Sequence, residues 1–535
     1  MFPFTSAHGA PVHLLGRFHA VGALCLLAAW QPRAVAQDAA TSEFDVMEFR
    51  VLGNSVLEGP DIERVVYPFL GEHKTIKDID AARAALEGAY HDRGYGTVFV
   101  DIPEQNVEGG IVRLKITEGT LAHARVAGAR YFSGREIRAA LPAATVGTVP
   151  HLPSLQAEIT ALNTQTSDRA VVPVLKAGAS PGTVDLTLKV DDHLPFHGDM
   201  EVNNQYTADT THLRVVGVAR YDNLFGRMDS LSLQYQTAPQ ARSEVGVLAA
   251  GYTAALNDHG RKLSIYYVDS NSDVATIGAL SVLGKGHVYG MRLLQPLALT
   301  VAGSHSLSVG LDYKDFEENL QVDPKSSLRT PISYLNLVAA YTGSWRSAKQ
   351  QFGLNTSLTF GARGLANSAD EFENKRFKAQ PNYSYLRTDA SYGVRLPADF
   401  NLLLRAGGQY GVDPLVSNEQ FSISGADGVR GYLEAEELGD IGVKGTAQIG
   451  SPQLALLSKR IRLDAFVFYD AGRISVTDPL PGQDSNSALR SWGAGIDLYA
   501  FDHVSGSLTW AYPLLSASRT ERGDSRLLFS VRGLW

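Results

Sequence analysis

Ile461-Arg462-Leu463-Asp464-Ala465-Phe466-Val467-Phe468-Tyr469-Asp470 alternates without a break. Ile461, Leu463, Ala465, Val467 and Tyr469 fall on one face of an extended chain, and Arg462, Asp464, Phe466, Phe468 and Asp470 on the other. One face is wholly apolar; the other mixes charge with aromatic rings. In a membrane barrel a charge on the lipid face near the midplane costs about 2–4 kcal/mol. Arg462, Asp464 and Asp470 are then expected to face the lumen. A soluble β-sandwich array alternates in the same way, so its neighbours decide the reading.

From Phe196 onward the same texture recurs in sixteen segments: 196–207, 210–221, 229–238, 243–254, 260–270, 286–297, 304–314, 332–344, 349–362, 383–395, 399–411, 441–450, 461–470, 488–499, 503–513 and 524–535. Segments of roughly ten residues suit a tilted strand crossing the hydrocarbon layer. An even number leaves both barrel ends on one side. In the last segment Phe529, Val531 and Trp535 share a face, while Ser530 and Arg532 take the other. Phe529 and Trp535 read as a C-terminal barrel signal.

The beginning of the chain supports export. Arg17 flanks an apolar stretch of 11 residues, Ala20 to Trp30, and Ala34-Val35-Ala36 has the form of a cleavage site. Residues 1–36 therefore read as a signal peptide. The single cysteine, Cys25, lies within it, so the processed chain has no disulfide. No later run of 18 apolar residues exists, which excludes a transmembrane helix. An exported chain of this kind is soluble or a β-barrel. The leader carries Arg17 and Arg33 and no acid, so its removal moves the formal charge from −8 to −10. That acidic balance argues against nucleic acid as a partner.

Between leader and barrel the pattern changes. Phe44 to Val51 reads as a strand, Asp61 to Leu70 as a short amphipathic helix, and Asp78 to Arg93 as a longer helix with Asp78 as N-cap. Tyr95 to Asp101 and Gly110 to Thr117 follow as strands. A second unit repeats the theme: strand Ala122 to Val126, helices Gly134 to Leu141 and Leu152 to Asn163, strands Ala170 to Lys176 and Thr183 to Val190. The expected organisation is two small α/β domains, 44–119 and 120–192, followed by a barrel over 196–535. His73, His91, His123 and His151 lack metal-ligand spacing and read as surface residues. No Gly-x-Ser-x-Gly elbow occurs. No catalytic residue, metal or cofactor is expected. Arg522-Gly523-Asp524 reads as a polar hairpin tip.

One further pair stands out. Gly428-Val429-Arg430-Gly431-Tyr432 sets an arginine between glycines beside an aromatic, and Phe468-Tyr469-Asp470-Ala471-Gly472 closes an alternating segment. A loop folded inside a pore carries its guanidinium to a carboxylate. The alternative is two ordinary polar turn residues on separate hairpins. With the first strand rising from the periplasm, external loops follow odd-numbered strands. The sixth external loop, about 412–440, is the longest and carries Arg430. It is expected to fold back and place Arg430 against Asp470, with Gly428 and Gly431 turning its tip.

At these residues the chain resembles the outer-membrane transporters of two-partner secretion (type Vb), the haemolysin secretion/activation family. The resemblance covers about 44–535. It rests on Val51-Leu52-Gly53-Asn54 and Ile116-Thr117-Glu118-Gly119, on Asn163, Asp168-Arg169, Pro173 and Pro181 to Leu186, and on Asn203-Asn204 and Asp222 to Gly226. It continues through Gly408-Gln409, Pro414-Leu415 and Glu419-Gln420-Phe421 into Val429-Arg430-Gly431-Tyr432, and ends on Phe468 to Gly472. Where the family loop has Gly-Gly and then a serine before its core, this chain has Ser424-Gly425 and Gly428.

The resemblance implies a transmembrane β-barrel of sixteen antiparallel strands preceded by two periplasmic POTRA domains in the Gram-negative outer membrane. It implies secretion, or secretion with activation, of a partner exoprotein such as a haemolysin or adhesin, captured by the POTRA domains. It also implies contact with outer-membrane lipid, insertion by the barrel-assembly machinery, and a monomeric barrel. The alternatives are an assembly factor of the same superfamily, which usually has more POTRA units, and a passive porin, which lacks them. Some relatives plug the pore with an N-terminal helix. Gln37 to Glu43 is too short for one, so if the pore is closed at rest the sixth loop and other external loops close it, the sixth being the leading candidate.

Overall fold

The computed structural model describes residues 43–535 except 209, 257–259, 273, 278–279, 298–302, 318, 324–325, 366–367 and 456–459. The expected signal peptide and most of the segment following it lie outside the described residues. The chain divides after Leu194 into two units.

The first unit holds two domains of one design. In the first, β1 (Phe44–Val46) pairs with β3 (Gly71–Lys74), and β2 (Glu48–Leu52) runs parallel to β5 (Ile111–Glu118), which is antiparallel to β4 (Val98–Asp101). Helices α1 (Gly59–Val66) and α2 (Ile76–Asp92) bury Ile62, Ile79, Leu86 and Tyr90 in a core shared with Val98 and Leu114. The second domain repeats the sheet order with β6 (Thr120–Ala127), β8 (Thr183–Asp192) and β7 (Arg169–Ala177), accompanied by α3 (Gly134–Ala139) and α4 (Leu152–Asn163).

Three expectations need correction. The strand read over Phe44 to Val51 is two strands in different sheets. Met47 N and Glu48 N both donate to Gly110 O, at 2.7 and 3.1 Å, and this bends the chain between them. Asp78 is not the N-cap of α2; Thr75 is. The Asp78 carboxylate accepts the Thr75 hydroxyl at 2.7 Å and the Thr75 N–H at 2.8 Å, which holds it below the usual carboxylate range. His151 is not merely a surface residue: it caps α4 through Ser154 and meets Arg93 O of the first domain at 3.0 Å.

At the end of β8 the Asp192 carboxylate accepts three successive backbone N–H groups, from Arg130, Tyr131 and Phe132, at 2.8, 2.8 and 3.1 Å. Burial alone would raise this carboxyl, but the three donors outweigh it and hold it low. Asp192→Ala strands those donors and is expected to cost about 2–4 kcal/mol in urea unfolding of the 43–194 unit. A depressed carboxylate stabilises fully above its unfolded value of about 4 and loses that contribution as pH falls through its folded value. The wild-type unit should therefore lose stability in acid more steeply than the alanine variant.

The second unit is a closed antiparallel barrel. Its sixteen long strands are Phe196–Asn203, Arg214–Leu224, Asp229–Thr237, Gly246–Ala255, Lys262–Ser270, Gly286–Pro296, Gly303–Phe316, Ile332–Arg346, Gln350–Gly361, Ser384–Arg395, Asn401–Gly411, Ile441–Gly450, Ile461–Ser475, Asn486–Ala500, Val504–Pro513 and Arg526–Leu534. Burial is inverted relative to a soluble sheet. Val467 and Tyr469 are exposed on the outside, as are Leu233, Val309 and Leu337, while Phe466, Phe468, Asp312 and Asp470 are buried inside. Connections after even-numbered strands are short except after the twelfth, and the longest connections follow odd-numbered strands, the longest of all being 412–440.

Three strands differ from expectation by four residues or more. The first ends at Asn203 rather than 207. The second starts at Arg214 rather than 210, because Thr210 folds into a turn on Thr207. The thirteenth runs on to Ser475, so Asp470 lies within its strand and not at its end.

The first and last strands close the barrel by the shortest of the long ladders, with five register pairs, Ser530↔Asn203 to Leu534↔Asp199. Asn204 extends it with its side chain, which donates to Leu527 O at 2.7 Å and accepts from Phe529 N at 2.8 Å. Trp535 exchanges two backbone hydrogen bonds with Gly198, at 3.0 and 3.1 Å, and its indole occupies the space a Cβ on Gly198 would need.

Candidate functional site

The loop 412–440 folds as a hairpin with its own small core. Phe421 and Ser422 pair with Gly439 and Leu438, and Val429 N donates to Ile423 O at 2.7 Å. Phe421, Ile423, Val429 and Tyr432 form a buried cluster with Ile474 and Leu489 of the barrel wall. Apolar side chains therefore fill the interior of a loop that is 29 residues long only if it is tucked in; an exposed loop would leave them in water. The glycines divide their roles differently from expectation. Gly425 and Gly431 take left-handed φ values of 101° and 98°. Gly428 has no such φ; it is needed because a Cβ there would collide with Ile423 O.

This fold delivers Arg430 to Asp470. Arg430 Nε lies 2.7 Å from Asp470 Oδ2 and Nη2 lies 2.9 Å from Oδ1, a two-pronged ion pair. The backbone N–H of Arg430 adds a third bond to Oδ2 at 3.1 Å. Nη1 donates to Gln448 Oε1 at 3.0 Å, and the guanidinium carbon sits 3.4 Å from the centroid of the Phe468 ring. The Asp470 side chain is 0% exposed and that of Arg430 13%. A buried charge needs this degree of compensation. Gly472 gives the loop its seat, since a Cβ there would lie 3.0 Å from Ile423 Cβ and 3.2 Å from Val429 Cγ2. The Tyr432 hydroxyl lies 2.7 Å from Leu515 O and 3.0 Å from Arg490 O, and its one proton serves these two carbonyls. The structure thus brings Val429, Arg430, Gly431, Tyr432, Phe468, Asp470 and Gly472 together. Phe529 and Trp535 lie apart from them, on the closing strand.

Sequence reasoning gave several participants no role in the site. Gln448 sits opposite Phe468 in the ladder and reads as one more polar lumen residue. Glu419 is 2% exposed and accepts from Tyr334 and Tyr385 hydroxyls at 2.6 and 2.7 Å and from Lys314. Glu436 binds Arg519 N and Thr520 N at 2.8 and 2.7 Å. Gly493 lies beneath Phe468, where a Cβ would be 2.6 Å from the ring. The alternating glycines of Trp492-Gly493-Ala494-Gly495, facing Phe468 and Phe466 in the neighbouring strand, were a legible signal for that shelf.

A model of the haemolysin secretion/activation proteins ShlB/FhaC/HecB matches residues 182–498, more than half of the chain. The chain belongs to the ShlB/FhaC/HecB family. A model of the ShlB-type POTRA domain matches residues 44–119. The heme/hemopexin transporter protein HuxB of Haemophilus influenzae is 23% identical over 404 residues, 73% of this chain and 69% of its own length. The outer membrane transporter CdiB of Dickeya dadantii is 23% identical over 491 residues, 88% of this chain and 83% of its own. The solved structure of CdiB from Escherichia coli superposes with a TM-score of 0.59 at 20% identity, covering 94% of this chain and 93% of that one. The ShlB/FhaC/HecB family is one of two-partner secretion transporters of the outer membrane, with POTRA domains in the periplasm. The loops after odd-numbered strands are accordingly external.

Proposed function

We propose that this chain carries a large exoprotein, unfolded, from the periplasm through the barrel lumen to the cell surface, and that the sixth external loop seals the lumen between rounds. The observation that carries the reading is the fully compensated Arg430–Asp470 pair at the loop tip. A surface loop would gain little from such a pair, whereas a seal must be held in place and must also be releasable.

In this reading residues 44–119 and 120–192 are the POTRA domains and 196–535 the pore. The POTRA domains capture the partner by strand addition: β7 is an edge strand of its sheet and leaves Val172 55% exposed. Repeated weak capture of this kind suits a chain in transit. The barrel contacts outer-membrane lipid, is inserted by the barrel-assembly machinery, and works as a monomer.

The test is co-expression, in a Gram-negative host, with any long exoprotein whose gene neighbours this one. The exoprotein should reach the surface or medium only when this chain is present. Equal export without it, or retention in the periplasm with it, would refute the reading.

A further inference from the structure

The sixth loop has a second, independent ion pair at its root. It comes from the external loop between the ninth and tenth strands. That loop contains a helix, α5 (Ala369–Lys375), which buries Phe372 against Tyr334 and Tyr383, with ring centroids 5.6 and 6.0 Å apart. The helix ends at Arg376, whose extended backbone turns its side chain away from the helix. Arg376 Nη1 and Nη2 each lie 2.6 Å from an oxygen of Asp440. The same guanidinium donates to Leu415 O, and to Thr477 O at 2.9 Å.

Asp440 is 0% exposed and is the last residue of the sixth loop. Besides Arg376 it accepts Leu415 N at 2.9 Å, Thr477 N at 2.7 Å and Gln420 Nε2 at 3.2 Å. Leu415 and Gln420 stand on the incoming foot of the loop, Asp440 on the outgoing foot, and Thr477 on the seventh external loop. One carboxylate and one guanidinium therefore join both feet of the sixth loop to the loops on either side. A bidentate fork fixes direction as well as distance. With the feet pinned, the 26-residue excursion from 415 to 440 has one way to point.

We propose that Arg376 is a positioning residue for the sixth loop: by clamping Asp440 it holds the loop's two feet so that Arg430 arrives at Asp470. Among the described residues Arg376 bonds Asp440, Leu415 and Thr477 and neither Arg430 nor Asp470, so its effect is exerted through the loop. The inference rests on the reading of this loop as the seal for its effect on secretion alone; the loop's position is measured separately.

The experiment uses the full chain in the outer membrane of intact cells, with Cys25→Ser and one reporter, Ser424→Cys. Ser424 is 4% exposed inside the loop, so a thiol there reacts slowly with a membrane-impermeant maleimide while the loop is seated. Arg376→Ala should raise the labelling rate by at least about tenfold, as expected for freeing a locally closed segment. Heat-modifiable gel mobility, which reports the whole barrel, should stay at the parent value. Arg376→Lys should fall between the two, because an ammonium cannot serve both carboxylate oxygens and two carbonyls. If the alanine variant does not assemble, the lysine variant carries the test. Labelling within about twofold of the parent in the assembled variant overturns the inference. Faster labelling with unchanged secretion upholds Arg376 as a positioning residue and refutes the loop as the seal.

Discussion

Arg430→Ala should reduce secretion of the partner exoprotein by at least about tenfold while leaving the amount of folded barrel in the outer membrane near normal, since one lost partner of a buried pair costs about 3–5 kcal/mol. The loss falls on the loop rather than the barrel. Asp470 is 0% exposed and would keep the backbone N–H of residue 430 but lose the fork that neutralises it. A loop freed from that seat stays in the lumen as a loose segment, where it competes with the exoprotein for space. Resting ion conductance of the purified protein in planar bilayers should rise in the same variant. Normal secretion at normal barrel abundance would sink the claim. A double-mutant cycle with Asp470→Ala should show strong coupling, each single change being nearly as damaging as both together. Reversing both charges should recover secretion only in part, although better than either reversal alone. Asp470 also accepts the Arg430 N–H, and the Phe468 ring faces the guanidinium, and a swapped pair recreates neither.

Gly493→Val should damage secretion within about threefold of Arg430→Ala, although it touches neither charge, because overpacking costs about 1–3 kcal/mol and here displaces the platform of the ion pair. The added Cβ would lie 2.6 Å from Phe468 Cζ and against Trp510 O. The ring must move, and it carries the guanidinium 3.4 Å from its centroid. Adding Phe468→Ala should restore the heat stability of the barrel by making room, without restoring secretion. Wild-type secretion by Gly493→Val would show that the aromatic shelf is dispensable.

Period-2 alternation made the barrel legible because a lipid-facing charge is so costly that each strand declares its faces. In 461–470 it puts Asp470 on the face opposite Val467 and Tyr469, and that face is the buried one. The strand's continuation to Ser475 was hidden, since Ala471 and Gly472 break the apolar pattern while their backbone keeps pairing with Gly445 and Lys444. The Arg430–Asp470 meeting could be expected because a clamped arginine in a long loop needs a carboxylate. The Arg376–Asp440 pair could not. Its partners lie 64 residues apart on different loops, and neither has a neighbour that marks it. Register within the N-terminal domains was also opaque around Met47, where one carbonyl, Gly110 O, takes two N–H groups and bends an apparently continuous strand.

The closure between the first and last strands has a mechanical meaning. Its five register pairs compare with at least eight in every other long ladder. Pulling the wall apart sideways therefore breaks fewer rungs there than anywhere else, and the Asn204 side-chain amide and the Trp535 indole act as two rivets, one near each end of a short zip. Under lateral tension this cylinder has a single line along which it tears first, and two side chains reinforce the few backbone rungs that hold it.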